Sequence, residues 1–309
     1  MKRGKKGFLD MPFSWLFAII AGIVIISLAI YISSKIINTG DTKINAQTGK
    51  EIGILLNPLE TGVESSKSVS FTLPVETRIY SKCNKDGAFG KQIIQIEQKS
   101  FNKWTETDID VSFSNKYIFS EEYIEGKEFF VFSKPFIFPF KVADLIYLTS
   151  ADKKYCFIDA PEDIKDEISS VGQKNLFAEN CLDIDGYVRV CFSNDLNCDI
   201  DVDYNLKKVT KNHITVYFQE DALMYAAIFG DSEVYECQVK RLMQRVSNLA
   251  LVYKDKTDII HPVGCDSNIN LVGLSTSAKV ISSSSNLKSL EHVINDIKNE
   301  NDMLMCRLW

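Results

Sequence analysis

The chain is poor in the residues that most often do chemistry. Its 309 residues include three histidines, His213, His261 and His292, and none has a second His or Cys at metal-site spacing or lies in a recognisable triad element. No C-x-x-C occurs, the closest cysteines being Cys191 and Cys198, which argues against thioredoxin-like redox chemistry and zinc ribbons. Neither G-x-x-x-x-G-K-[ST] nor G-x-G-x-x-G is present, so nucleotide phosphates have no glycine-rich cradle. Ser285 and Lys288 show the S-x-x-K spacing of Ser/Lys acyl enzymes, but the companion S-D-N and K-T-G elements are missing. No internal repeat is visible, and Ser282–Ser285 is the single low-complexity run, placed between helical segments. No catalytic residue is assigned, and a non-catalytic role is expected.

Positive charge is scarce beyond the N-terminus. Residues 1–37 carry Lys2, Arg3, Lys5, Lys6 and Lys35 against Asp10, which leaves 30 basic and 40 acidic side chains for the remainder. A body of that sign repels phosphate backbones and has no counterions to release from DNA, so nucleic acid is not an expected partner. A hydrophobic content of 45% with 25% charged residues is that of a globular chain with a sizeable core.

From Met11 to Ser34 the sequence runs 24 residues without a charge, mostly Ile, Leu, Ala, Phe and Val. As a helix this covers about 36 Å, enough for a hydrocarbon core of about 30 Å with some tilt. Trp15 and Tyr31 suit the two interfaces, and Lys35 can snorkel outward. Four cations precede the segment within ten residues, so the positive-inside rule puts the N-terminus in the cytoplasm and the body outside. The expected division is a basic cytoplasmic tail (1–10), a transmembrane helix (11–37), a membrane-proximal linker (38–66), a β-rich ectodomain (67–220) and a helical C-terminal part packed on it (221–309). The fold class is α+β, and the lipid bilayer is a partner through residues 11–37.

The period-two alternation of Val69, Phe71, Leu73 and Val75, repeated at Ile94 and Ile96 and at Val111 and Phe113, carries the β assignment. Pro161-Glu162-Asp163 opens a short helix, and 187–218 returns to strands. After Gly230, Asp231 or Ser232 is placed to cap a long helix, whose apolar Val234, Tyr235, Val239, Leu242, Met243, Val246 and Leu249 recur at spacings of three and four. Its basic cluster, Lys240, Arg241 and Arg245, is read as the wet face. The aromatic run Phe129, Phe130, Phe132, Phe136, Phe138 and Phe140 is read as a core-facing side of the sheet, with an apolar groove or a contact surface as the other possibility.

All eight cysteines follow residue 37, which fits oxidised pairs in an oxidising compartment. Two pairs are expected. Residues 188–192 and 198–202 read as strands of a hairpin that would bring Cys191 against Cys198. Helices near 233–258, 267–283 and 286–302, running up, down and up, would leave Cys265 and Cys306 at one end. Asp199, Asp201 and Asp203 alternate along one strand face. That row is either a solvated face or a gathering point for a hard cation such as Ca²⁺; no other cofactor is expected.

The opening KRGKKGFLDMPFSWLFAIIAGIVIISLAIY resembles the N-termini of archaeal surface proteins with type IV pilin-like signals, which are cut just after a glycine, here Gly7. Pro12 stands at the fifth position after that cut, where those signals usually carry a glutamate, and Asp10 is the nearby acid. The stretches LNPLETG (56–62), ETRIYSKC (76–83), FSKPFIFPFKVADLIYL (132–148) and YECQVKRLMQR (235–245) resemble an uncharacterised family of archaeal single-pass membrane proteins. The anchor, the oxidised cysteine pairs and the lack of catalytic motifs point to an anchored cell-envelope protein for structure, surface assembly or partner binding, with envelope or self-assembly proteins as its partners. The alternative is an extracytoplasmic enzyme or ligand-binding sensor. A cleft with converging acids or histidines would favour that alternative.

Overall fold

The computed structural model describes residues 16–33, 67–100, 102–105, 110–178, 181, 186–193, 198–263 and 267–309. The first stretch is one helix, α1 (Leu16–Ser33), long and apolar enough to cross a membrane, with none of it buried. Eighteen residues rise about 27 Å. The tail with Gly7, Asp10 and Pro12, both ends of the expected 11–37 span and the 38–66 linker lie outside the described residues.

The body is mixed α+β, built on two sheets. The first has the order β3-β2-β1-β6-β7-β5, with β4 also pairing β2. Its long interior strands are β1 (Lys67–Asn84) and β6 (Tyr123–Ile137), which pair antiparallel and are flanked by β2 (Lys91–Ser100) and β7 (Lys141–Ser150). The border strands β3 (Lys103–Thr105), β4 (Val111–Phe113) and β5 (Tyr117–Phe119) have three residues each. The second sheet, β13-β12-β11-β10-β8-β9, starts with β8 (Lys154–Ile158). A short helix α2 (Glu162–Val171) then carries the chain to β9 (Leu176–Phe177), parallel to β8. β10 (Tyr187–Cys191) and β11 (Ile200–Asp203) continue the sheet in parallel, and β12 (Lys208–Lys211) and β13 (Ile214–Tyr217) close it antiparallel. The border strand β13 has its Tyr217 N–H bound by Ser284 Oγ at 2.9 Å.

Alternation along β5 and β7 buries both faces of the first sheet. Tyr117, Phe119 and Tyr147 join the main core, whereas Ile118, Ile146 and Leu148 join a second cluster with Ile79, Ile94 and Ile96. All six phenylalanines of the 129–140 run are buried, so the run is core and not a surface groove.

The main core is organised around α3 (Glu220–Phe229), in which every residue from Ala222 to Phe229 is buried. It touches β5, β6 and β7 of the first sheet, β12 and β13 of the second, and α4 (Ser232–Ile260). Phe132, Tyr147, Tyr155 and Tyr225 ring Phe229 at centroid distances of 5.0–6.3 Å, and Tyr147 Oη donates to the Ala222 carbonyl at 2.7 Å. At about 1.5–3 kcal/mol per buried large apolar side chain, α3 is the principal attachment between the sheets. The chain ends with α5 (Leu271–Lys279), a 3-10 segment (Ser284–Leu290) and α6 (Glu291–Met303).

Asp231 caps α4 as expected, accepting from the amides of Glu233 (2.8 Å) and Val234 (3.2 Å). The basic cluster on this helix differs from its expected wet placement, because Arg241 is fully buried. Its Nε donates to Phe89 O (3.1 Å), Nη1 to Lys116 O (3.0 Å) and Gln238 Oε1 (2.6 Å), and Nη2 to Ser114 O (3.0 Å). Its planar fork thus supplies donors to two loops that have no ladder of their own, while its charge rests 4.6 Å from the Tyr117 ring centroid. Burial lowers the guanidinium's pKa. One turn earlier, Cys237 is bonded to Cys83 at the end of β1. Gly90 completes this attachment: its φ is +57°, and a Cβ there would stand 2.9 Å from Arg241 Cγ and Cδ.

Candidate functional site

A cleft of about 540 Å³ lies where α3 gives way to α4, lined by the β5–β6 connection, the β7–β8 turn, the β12–β13 turn and the α3–α4 junction. Each piece follows from local chemistry. The β7–β8 turn is tied by Ser150, whose Oγ donates to Glu125 O (2.6 Å) and accepts from the Asp152 amide (3.2 Å). Gly126, at φ +150°, lies against this turn, since a Cβ there would sit 2.9 Å from both Asp152 Oδ2 and Ser150 Oγ. The β12–β13 turn has two left-handed residues, Asn212 (φ 51°) and His213 (φ 63°), the signature of a two-residue hairpin turn. His213 is therefore a turn residue rather than part of a strand.

The lining is acidic, with Glu121, Glu122, Glu125, Asp152 and Asp231 against Lys153 and Lys211. Most of these charges are engaged. Glu121 pairs with Lys153, Glu125 with Arg78 at 2.7 Å, and Asp231 caps α4. Lys211 donates to the carbonyls of Ile228 (3.3 Å) and Gly230, covering the end of α3 where carbonyls lack helical partners and the dipole is negative. Burial pushes its ammonium down to about 8, against the pull of Glu121 and Asp231. Burial likewise raises the Tyr155 phenol.

Lys211 makes stability depend on pH in a defined direction. The unfolded chain keeps this amine protonated to about 10.5, whereas the folded chain releases the proton near 8. Between those values the unfolded state binds more protons, so the unfolding free energy rises with pH. At about 1.4 kcal/mol per pKa unit, the gain approaches about 3 kcal/mol at the upper end. Lys211→Met removes the titration. Urea unfolding at pH 7.5, 9 and 10 is expected to show wild type gaining on this variant at each step, and parallel curves would refute the assignment.

A second polar cluster sits at the other end of α3. Glu167 of α2 accepts from Lys134 Nζ (2.6 and 2.8 Å) and from Tyr225 Oη (3.0 Å), while Asp221 accepts from Tyr204 Oη (3.0 Å). Burial and then Glu167 raise the Tyr225 phenol. These groups satisfy one another and fasten α2 and the β11–β12 turn to α3.

The three aspartates expected to alternate along one strand face do so. Ile200 and Val202 turn inward, leaving Asp199, Asp201 and Asp203 on the other face. There Asp199 accepts from the Arg189 amide (2.8 Å), and Asp203 accepts from the Leu206 amide (2.9 Å) and lies 3.7 Å from Lys208. Among the described residues no three His, Cys, Asp or Glu side chains converge as metal ligands. Asp199 and Asp203 cap backbone at the strand's two ends. Ser285 and Lys288 are exposed on the 3-10 segment, and His292 pairs with Asp296 at 2.6 Å on the exposed side of α6.

Cys191 and Cys198 are bonded, with a Cα separation of 5.9 Å, but not across a hairpin. β10 and β11 run parallel, Val190 facing Ile200 and Cys191 facing Asp201. The chain loops back to the start of the next strand, and the bond closes that loop. Cys306 is disulfide-bonded, while Cys265, the partner expected for it, lies outside the described residues. Two bonds had no sequence signal, Cys83–Cys237 and Cys156–Cys181, which span 154 and 25 residues. The cleft itself had none either, because its walls come from segments between residues 121 and 231 that only the packing of α3 brings together. The chain matches no family model, no curated protein and no solved structure.

Proposed function

We propose that the chain is a membrane-anchored extracytoplasmic binding protein, held by α1 with its N-terminus in the cytoplasm and its disulfide-bonded body on the outer face. The observation that carries this is the combination of an unburied apolar helix near the N-terminus with a body that has no free cysteine among the described residues. Such bonds persist in oxidising compartments and not in the cytosol. The cleft favours ligand or partner binding over a purely structural role, because convergent polar groups in a concavity of this size are the usual form of a recognition site. Assembly with other envelope proteins, in the manner the pilin-like opening implies, is the narrower form of the same proposal.

Protease added to intact cells is expected to remove the body, and a maleimide-polyethylene glycol reagent is expected to leave the unreduced, denatured chain unshifted. A protected body with freely labelled thiols would refute the topology. Intact mass of the membrane form separates a plain anchor from one cut after Gly7.

A further inference from the structure

One nucleophile stands in the cleft. Lys211 is half-buried in its lining, and the charges that reach its amine are those of Glu121, Asp231 and Lys153, three residues of the same lining. The nitrogen itself, and not merely its methylene stem, therefore belongs to the concavity. It donates to the carbonyls of Ile228, at 3.3 Å, and Gly230. A neutral amine keeps two N–H donors, so both bonds survive loss of one proton and the lone pair is left over. Burial brings the pKa of that loss down to about 8. At pH 7 about one amine in ten is then neutral, against about one in three thousand for an ordinary lysine. Desolvation of this kind is what turns a lysine into a nucleophile.

We propose that Lys211 is the attachment point for a small uncharged aldehyde or ketone, held in the cleft as an imine. The amine first gives one proton to water, and its lone pair attacks the carbonyl carbon while the π pair moves to oxygen. A second proton passes from nitrogen to that oxygen. The proton released at the start is then taken back, the hydroxyl leaves as water, and a C=N bond forms with one proton on nitrogen. Ammonium and carbonyl compound thus become protonated imine and water with no net change in charge. The product remains a cation beside Glu121 and Asp231 and keeps one N–H for the end of α3. An acylated lysine would keep the N–H but lose the charge, which favours carbonyl condensation over acyl transfer. The acidic lining disfavours keto acids and phosphorylated sugars. A volume of about 540 Å³ lies within the range of about 300–1,000 Å³ common to small-molecule sites. This identification rests on the binding role proposed for the cleft and names its ligand's chemistry. Attachment itself is a property of the folded body and does not depend on its side of the membrane.

The test uses the full chain in detergent micelles at pH 7, with propionaldehyde and cyanoborohydride, whose hydride reduces the C=N bond to a secondary amine. Peptide mass spectrometry reads the labelling rate of each lysine. Lys211 is expected to react faster than the median lysine by about tenfold or more, because its lower basicity offsets only part of the gain in neutral amine. In urea it should fall to the median. Glyoxylate, an anionic aldehyde, should show no preference for it in the folded chain. At the propionaldehyde concentration where wild type gains a single propyl group, Lys211→Arg is expected to gain none, with an unchanged circular dichroism spectrum. Labelling of Lys211 no faster than the median, or an advantage that persists in urea, would overturn the assignment. So would an equal preference for glyoxylate, or a propyl group on the arginine variant. Failure of the protease experiment leaves these outcomes standing, so the two proposals fall separately.

Discussion

Arg241→Leu is expected to destabilise the body by about 3–5 kcal/mol, the largest effect of any single side-chain change outside the core aromatics. The guanidinium is fully buried and supplies the hydrogen bonds to Phe89 O, Ser114 O and Lys116 O. Leucine fills part of the volume but donates nothing, and each carbonyl left buried without a partner costs about 1–3 kcal/mol. Arg241→Lys is expected to recover only part of the loss, because a single ammonium cannot reproduce a fork directed at two loops. Guanidinium unfolding of the three proteins gives the ranking wild type, lysine, leucine. A leucine variant within 1 kcal/mol of wild type, as order of magnitude for a surface change, would mean that water replaces the lost donors and that the charge contributes little.

Removing the Cys83–Cys237 bond by the double change Cys83→Ser and Cys237→Ser is expected to cost about as much. The bond spans 154 residues, and the chain-entropy account assigns about 5 kcal/mol to a closure of that length. Shorter closures are worth less, so Cys191–Cys198, which spans 7 residues, should be the more dispensable of the two. The thermal midpoint of each double variant, measured without reductant, tests the order. Cys237, Gln238 and Arg241 share one face of α4, and Gln238 also donates to Gln92 Oε1 and to Ile118 O. Combining the cysteine and Arg241 changes should therefore cost less than the sum, because both hold the same hairpin to the same helix. Exact additivity would show that the two attachments act independently.

The parts of this fold that were legible in the sequence are those where one face is wet. The α4 stripe repeats at three and four because its other side meets solvent, and its Asp231 cap follows from the same boundary. The alternation in β1 and β2 is visible for a like reason. α3 was covered only by the coarse helical assignment of 221–309, since a segment buried all round has no period of its own to detect. Arg241 was misassigned because charge in a helix ordinarily signals water, and nothing in its neighbourhood in sequence announces the distant carbonyls it serves. The Cys191–Cys198 bond could be inferred from nearness along the chain, while the direction of the strands it joins could not. In the cleft, Lys211 was an unremarkable letter until the end of α3 was placed beside it.

The borders of the two sheets bear on how such a body could live among copies of itself. Long strands are kept inside, and every border strand is a stub of two to four residues, one of them with Tyr217 already claimed by Ser284. A neighbouring chain seeking to extend either sheet would find too short a ladder to gain a foothold. Crowding among copies of itself therefore threatens this protein little with fibrous aggregation, and any ordered array it joins must be stitched through side chains rather than through shared backbone.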